Sequence, residues 1–294
     1  MESSRVRYNF INIAVLLLAA IFFISEYNNI GDVFRKVEFL YVFIIVIAAF
    51  IVHMIKAGRL YLALYGAEMS FMTYLKIYCK VTLVSVVLPL KLGDCFRMYC
   101  YGKQLKNGLK GIVIVLFDRF IDTLALVSIV FVISAFSGGN VTPFMYVLLL
   151  FLVSVMLVYS VFPRVYKFWN KYILRAKATS QKLAVLKVLN SLNHIYQEIL
   201  YVTRGKGIVL FFMSLIAWAV EIGYISILDK LFGDGELSQT ISVYLISVMN
   251  NKQSVKLKQF IVISVLMMLT IYIIVKVISI FLEKRITDEN NNYI

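Results

Sequence analysis

Apolar residues along the chain fall into long unbroken runs, separated by short stretches where nearly all the charge is collected. Six runs stand out, at about 9–25, 39–55, 111–136, 144–162, 207–231 and 259–282, with two weaker ones at about 73–90 and 237–250. Each strong run approaches or exceeds the roughly 20 residues a helix needs to span about 30 Å of hydrocarbon. Within the runs the apolar positions are continuous rather than alternating, which selects helices over strands of a membrane barrel. The fold class that follows is all-α: a polytopic integral membrane helical bundle of about 6–8 membrane segments, read as one membrane domain over 1–294.

Loop charge orients the runs. Arg5 and Arg7 precede the first run, which ends in Ser25-Glu26-Tyr27 instead of a small-residue cleavage site. An uncleaved signal anchor with a cytoplasmic N-terminus is therefore expected. The stretch 26–38 is slightly acidic and is expected outside. The stretch 56–80 (Lys56, Arg59, Lys76 and Lys80 against Glu68) and the stretch 91–110 are both basic. Two consecutive inner flanks cannot be joined by one full crossing, so a re-entrant hairpin near 73–93 is expected. Its alternative is a pair of full crossings that breaks the charge rule. Irregular backbone at that depth requires protein or a water-filled cavity around it. Further on, 229–236 is acidic and expected outside, whereas 251–258, with Lys252, Lys256 and Lys258, is expected inside.

The stretch 163–206 has a different pattern. Val165, Phe168, Trp169 and Tyr172 recur at helical spacing, as do Val185, Val188, Leu192 and Ile199, while Lys171, Arg175, Lys182 and Lys187 take the other face. This predicts one or two cytoplasmic-side amphipathic helices, broken near Thr179-Ser180 and either lying on the inner leaflet or packed as a hairpin.

Composition narrows the function. The chain has 294 residues, is 61% hydrophobic and carries a net charge of +14. In a soluble protein such charge suggests nucleic acid; here the cations flank apolar runs, where the inner-leaflet charge rule accounts for them, and no nucleic-acid partner is expected. Cys79, Cys95 and Cys100 form no CxxC pair and read as free thiols, and His53 and His194 lie far apart, so no metal or cofactor is expected. Nucleophile-elbow, zinc-protease and phosphate-loop signatures are absent, and no catalytic set is assigned.

The chemistry lies in charges inside the runs, where each costs roughly 2.5–3.5 kcal/mol even on lenient insertion scales. The run 111–136 holds Asp118, Arg119 and Asp122. Asp118 and Asp122 share a helix face, and Arg119 can pair with Asp122. Next to the weak run lies Leu88-Pro89-Leu90-Lys91-Leu92-Gly93-Asp94-Cys95-Phe96-Arg97. Pro89 and Gly93 interrupt a helix there, and a helix restarting near Gly93 would place Asp94 and Arg97 on one face. That helix start, with Lys91 and Arg97, suits a phosphate; alternatively the pairs only fix helix packing. Arg59 is either an ordinary basic flank or a member of this cluster. Glu221, deep in its run near Trp218, is functional or hydrogen-bonded to a neighbouring helix.

These elements resemble the membrane region of bacterial lysylphosphatidylglycerol synthases, a flippase-like family. The similarity rests on Arg59, on Leu88, Pro89, Gly93, Asp94 and Arg97 in an LPxxxG[ED]xxR pattern, on Asp118, Arg119 and Asp122 in an [ED]RxxD pattern, and on the helix carrying Trp218 and Glu221. A second Pro/Gly element before the last run is not visible around 247–258. The soluble transferase domain of full-length synthases is also not visible, and lysyl transfer from tRNA is not expected. The resemblance implies a bacterial plasma-membrane protein that handles or translocates an anionic or aminoacylated phospholipid, or a polyprenyl-phosphate-linked lipid. Two other roles fit it. One is the membrane part of a lysyl-lipid system linked to cationic peptide resistance, working with a separate transferase; the other is a scaffold for an envelope-glycan enzyme.

Overall fold

The computed structural model describes residues 2–27, 31, 34, 37–64, 69–88, 92–137, 143–175, 179–232, 240, 241, 243, 244, 247 and 254–291. Its helices, among the described residues, are α1 (Glu2–Glu26), α2 (Phe39–Ala63), α3 (Phe71–Val87), α4 (Leu92–Gln104), α5 (Gly108–Ser137), α6 (Pro143–Arg175), α7 (Ser180–Thr203), α8 (Gly207–Phe232) and α9 (Val255–Asn291). The protein is an all-α membrane bundle. Of these helices α1, α2, α6, α8 and α9 are long and apolar enough to cross a membrane by length and composition. α5, with 30 residues, is about 45 Å long but carries charges in mid-helix.

Local chemistry shapes α3 and α4. Ser70 caps α3 by accepting a hydrogen bond from the Thr73 amide at 3.3 Å. The helix stops at Leu88, which is extended (φ −75°, ψ 130°) because the following Pro89 disfavours helical geometry in its predecessor. α4 then returns antiparallel to α3: Gly93 lies against Ser85, and Lys80 lies over the Phe96 ring at 5.6 Å. The limbs of 17 and 13 residues are about 26 and 20 Å long, both short of a full bilayer crossing. Residues 92–104, within the stretch 91–110 counted as basic by charge alone, are thus the returning limb. Asn107 ends the turn by accepting from the Lys110 amide at 3.1 Å, and α5 begins.

Two glycines let α4 and α5 touch along their backbones. A Cβ on Gly111 would sit 2.4 Å from the Gly102 nitrogen and 2.7 Å from the Met98 oxygen. Close backbone approach through small residues is a common way to pack membrane helices. It sets Asp94 and Arg97, one to two turns before Gly102, opposite Asp118 and Arg119, two turns after Gly111.

Two expectations change. The boundary drawn at 162 does not end a helix: α6 continues through Pro163 to Arg175, and α7 folds back along it, with Tyr159 and Phe162 against Tyr196 and Tyr166 donating to Asn190 at 3.2 Å. A proline deletes one backbone bond, which neighbouring groups can make good. Residues 229–236 and 251–258 were expected on opposite sides of the membrane. Instead Asp229 accepts from both Thr240 (2.9 Å) and Lys256 (3.0 Å), so positions 229, 240 and 256 share one end of the bundle. Tyr244 reaches Glu221, about 12 Å along α8 from Asp229. Thr240 and Lys256 thus lie at that end, and Tyr244 lies away from it. Lys256 is a counter-ion to a buried carboxylate, not a flank.

The glycine seam gives a direct test. Gly93→Ala or Gly111→Ala places a methyl within 2.2–2.4 Å of backbone atoms and must push helices apart. Thermal unfolding of purified protein in detergent should show a loss of about 1–3 kcal/mol. Gly223→Ala, where the new methyl meets nothing within 4 Å, should be neutral or stabilising.

Candidate functional site

Four helices bring their charges to one place. Asp118 of α5 lies at its centre. One of its oxygens accepts from Arg59 Nε (3.0 Å) and Nη2 (2.7 Å), from α2. The other accepts from Arg97 Nη2 (3.1 Å), from α4. The remaining Arg59 nitrogen, Nη1, donates to Asp122 at 2.7 Å and to Ser214 of α8. Arg59 and Arg97 are only 5% and 7% exposed and Asp118 8%, so these charges are withdrawn from solvent and depend on one another. The guanidinium fork suits the arrangement, because it can address two carboxylates at fixed angles.

Arg119, one residue on from Asp118, points elsewhere. Its Nε and Nη2 donate to Asp94 at 2.9 and 2.5 Å, and Nη2 also donates to Ser85 at 2.9 Å. Ser85 in turn donates to Asp94 at 3.2 Å, and Arg97 stands 3.9 Å from the same carboxylate. The i,i+3 pairing of Arg119 with Asp122 is therefore replaced by a bond across to the hairpin: Asp122 is taken by Arg59, and Asp94 is the acceptor on Arg119's own side. The Asp94–Arg97 pair is present but loose. Arg119 is 44% exposed, far more than the other members.

A second group continues from the first. Trp218 Nε1 donates to the Asp122 carbonyl at 3.3 Å. The Lys56 ammonium sits over the Trp218 ring, 5.2 Å from its centre, and 3.6 Å from Glu221 Oε2. The other Glu221 oxygen accepts from Tyr244 at 2.7 Å, and Tyr224 donates to Tyr244 at 3.4 Å.

Arg59, Gly93, Asp94, Arg97, Asp118, Arg119, Asp122, Trp218 and Glu221 thus converge, with Gly93 serving the close approach of the hairpin limbs. Pro89 and Lys91 lie outside the described residues. Sequence reading missed Lys56, Ser85, Ser214 and Tyr244. Lys56 could have been found from its place three residues before Arg59, on the same helix face; the hydroxyls carry no hydropathy signal. Arg59, Arg97 and Arg119 balance Asp94, Asp118 and Asp122, and Lys56 balances Glu221, so the assembly is charge-neutral. Such a cluster does not hold a free anion by net charge; it exchanges one anionic partner for another.

Residues 9–250 match the family of the lysylphosphatidylglycerol synthase TM region, and the chain belongs to that family. No curated protein and no solved structure is significantly similar to it.

Removing Arg59 takes away the guanidinium that holds Asp122 and leaves the buried Asp118 with Arg97 alone. Arg59→Ala should lower stability by about 3–5 kcal/mol, and Arg59→Lys should recover little because an ammonium cannot span both partners. Arg119→Ala, at the exposed edge, should change stability by about 1 kcal/mol or less. Detergent-solubilised unfolding curves for the three variants check this ordering.

Proposed function

We propose, on the premise of that family membership, that the protein translocates a membrane lipid bearing an anionic phosphate headgroup. A phospholipid and a polyprenyl-phosphate-linked lipid share this chemistry. The observation that carries the reading is the division within the cluster. Arg59 and Arg97 are enclosed and committed to Asp118, whereas Arg119 is 44% and Lys56 25% exposed. The enclosed members act as scaffold, and the two exposed cations are the groups a headgroup can reach.

The exchange follows from the geometry. A headgroup phosphate takes the place of Asp94 on Arg119, one charge-assisted pair replacing another. Asp94 is not left bare, because Ser85 and Arg97 still face it. On this reading α3–α4 is a re-entrant hairpin whose tip, around Gly93, supplies the movable acceptor. Only the protein-walled side of such a hairpin is compatible with its interrupted backbone.

A second role, as membrane partner of a separate lysyl-lipid transferase, is favoured by the synthase membership and needs no different site.

Proteoliposomes containing fluorescent phosphatidylglycerol test the proposal. Wild-type protein should move the probe between leaflets, and Arg119→Ala should slow it about tenfold, the equivalent of about 1.4 kcal/mol in barrier. A phosphate-free glycolipid probe should not move. Wild-type transfer no faster than that of Arg119→Ala, or of empty vesicles, removes the reading.

A further inference from the structure

The carboxylates of the site differ in what would happen if each took up a proton. Asp118 accepts from two guanidinium groups, and Asp122 and Asp94 from one each at 2.7 and 2.5 Å. Neutralising any of them would take away a carboxylate charge in direct contact with a guanidinium, which does not give up its own charge. Glu221 is placed differently. It is 4% exposed, its Oε1 accepts one hydrogen bond from a neutral phenol, and its Oε2 is buried with no hydrogen-bond partner. Its counter-ion, Lys56, stands off at 3.6 Å and at the same time lies over the Trp218 ring.

The surroundings of Glu221 can be named from each side. α2 supplies Lys56 and, one turn earlier, His53, whose two ring nitrogens are buried without hydrogen-bond partners. Positions 240–247 supply Tyr244; α8 itself supplies Tyr224 and Trp218. α5 supplies Asp122, reached through Trp218. α9 contributes the Phe260 ring, stacked on Tyr224 at 5.3 Å and on His53 at 6.5 Å. Among the described contacts no arginine reaches Glu221. The phenols Tyr224 and Tyr244 form a hydrogen-bonded pair ending on its carboxylate, on the side toward Asp229.

From this geometry we propose that Glu221 is a proton-binding site that couples the protein to a proton gradient. In one state Glu221 is ionised and holds Lys56. When Oε2 takes a proton from water, the carboxyl becomes neutral, Tyr244 stays bound to it, and the Lys56 ammonium is released. It then faces the Trp218 ring and the Asp122 side of the site, where an anionic headgroup can use it. Loss of the proton draws Lys56 back to the carboxylate and returns the site to its first state. The coupling half of this proposal rests on the lipid-translocation reading; the proton site does not.

Infrared difference spectroscopy of the full chain in nanodiscs, taken from about pH 4 to about pH 9 to cover the carboxyl and imidazole ranges, separates the two. Wild-type protein should show a buried protonated-carboxyl band that titrates; Glu221→Gln should abolish it and Asp122→Asn should keep it. Tyr244→Phe, a milder change, should shift the band by removing its hydrogen bond. A band that persists in Glu221→Gln, an unshifted band in Tyr244→Phe, or no such band in wild type overturns the site. In proteoliposomes with fluorescent phosphatidylglycerol, an imposed pH gradient should change the wild-type rate severalfold. A wild-type rate indifferent to the gradient overturns the coupling. Absence of any lipid transfer, with the infrared band intact, defeats the translocation reading and the lipid coupling but leaves the proton site standing.

Discussion

A carboxylate shared between two arginines, in surroundings that exclude water, fixes the rest of this protein. Asp118 is approached from α2 by Arg59 and from α4 by Arg97, while Arg59 extends to Asp122 and to Ser214 of α8. A buried ion is tolerated only when its partners are close and correctly angled. That condition holds here only if α2, α4, α5 and α8 keep their positions to within a fraction of an ångström. The glycine contact between α4 and α5 is the backbone counterpart of the same requirement, since a single methyl at position 111 would separate Arg97 from Asp118. Apolar packing drives these helices together, but apolar contacts alone would accept many registers. The ion cluster accepts one.

A neutral cluster of this kind carries a functional constraint as well. With every charge matched inside the protein, a ligand of either sign has to displace something. Displacement is cheapest where a charge is exposed and its partner has other donors to fall back on. Arg119 and Asp94 meet both conditions; Arg59 and Asp118 fail the first, being enclosed. The same reasoning separates Glu221 from the aspartates. The cluster is therefore graded, from a locked centre to edges where partners can change.

Much of this was legible in the sequence. Long apolar runs identify the spanning helices, and Asp118, Arg119 and Asp122 stand out because ions are costly in such runs. Pairing was less legible. Spacing alone matches Arg119 with Asp122, because a helical wheel shows neighbours on one helix and nothing of the helix opposite. Once Arg59 arrives from α2 to occupy Asp122, Arg119 is left for Asp94. Arg59 itself was ambiguous, since a cation after an apolar run looks like a membrane flank; α2 in fact continues to Ala63, which puts Lys56 and Arg59 inside it. Ser85, Ser214 and Tyr244 left no trace, because neutral hydroxyls are common in apolar helices and signal nothing without their partners.

The loop-charge reading failed at one identifiable point, and the failure has a physical cause. The inner-leaflet rule applies to cations that remain free to interact with lipid headgroups and the membrane potential. Lys256 is not free: it is 3.0 Å from Asp229, a carboxylate only 6% exposed. A matched pair has almost no net charge at a distance, so it exerts little orienting force and should be removed from both sides of the tally. Lys56 and Arg59 are matched too, by Glu221, Asp118 and Asp122. Removing them still leaves Lys76 and Lys80 against Glu68, so the stretch 56–80 stays basic by sequence. At 251–258 the tally loses Lys256, and the contact that removes it places Lys256 beside Asp229 at the end of α8. A cation with a buried carboxylate partner is a counter-ion inside the fold and carries no weight in a loop-charge tally.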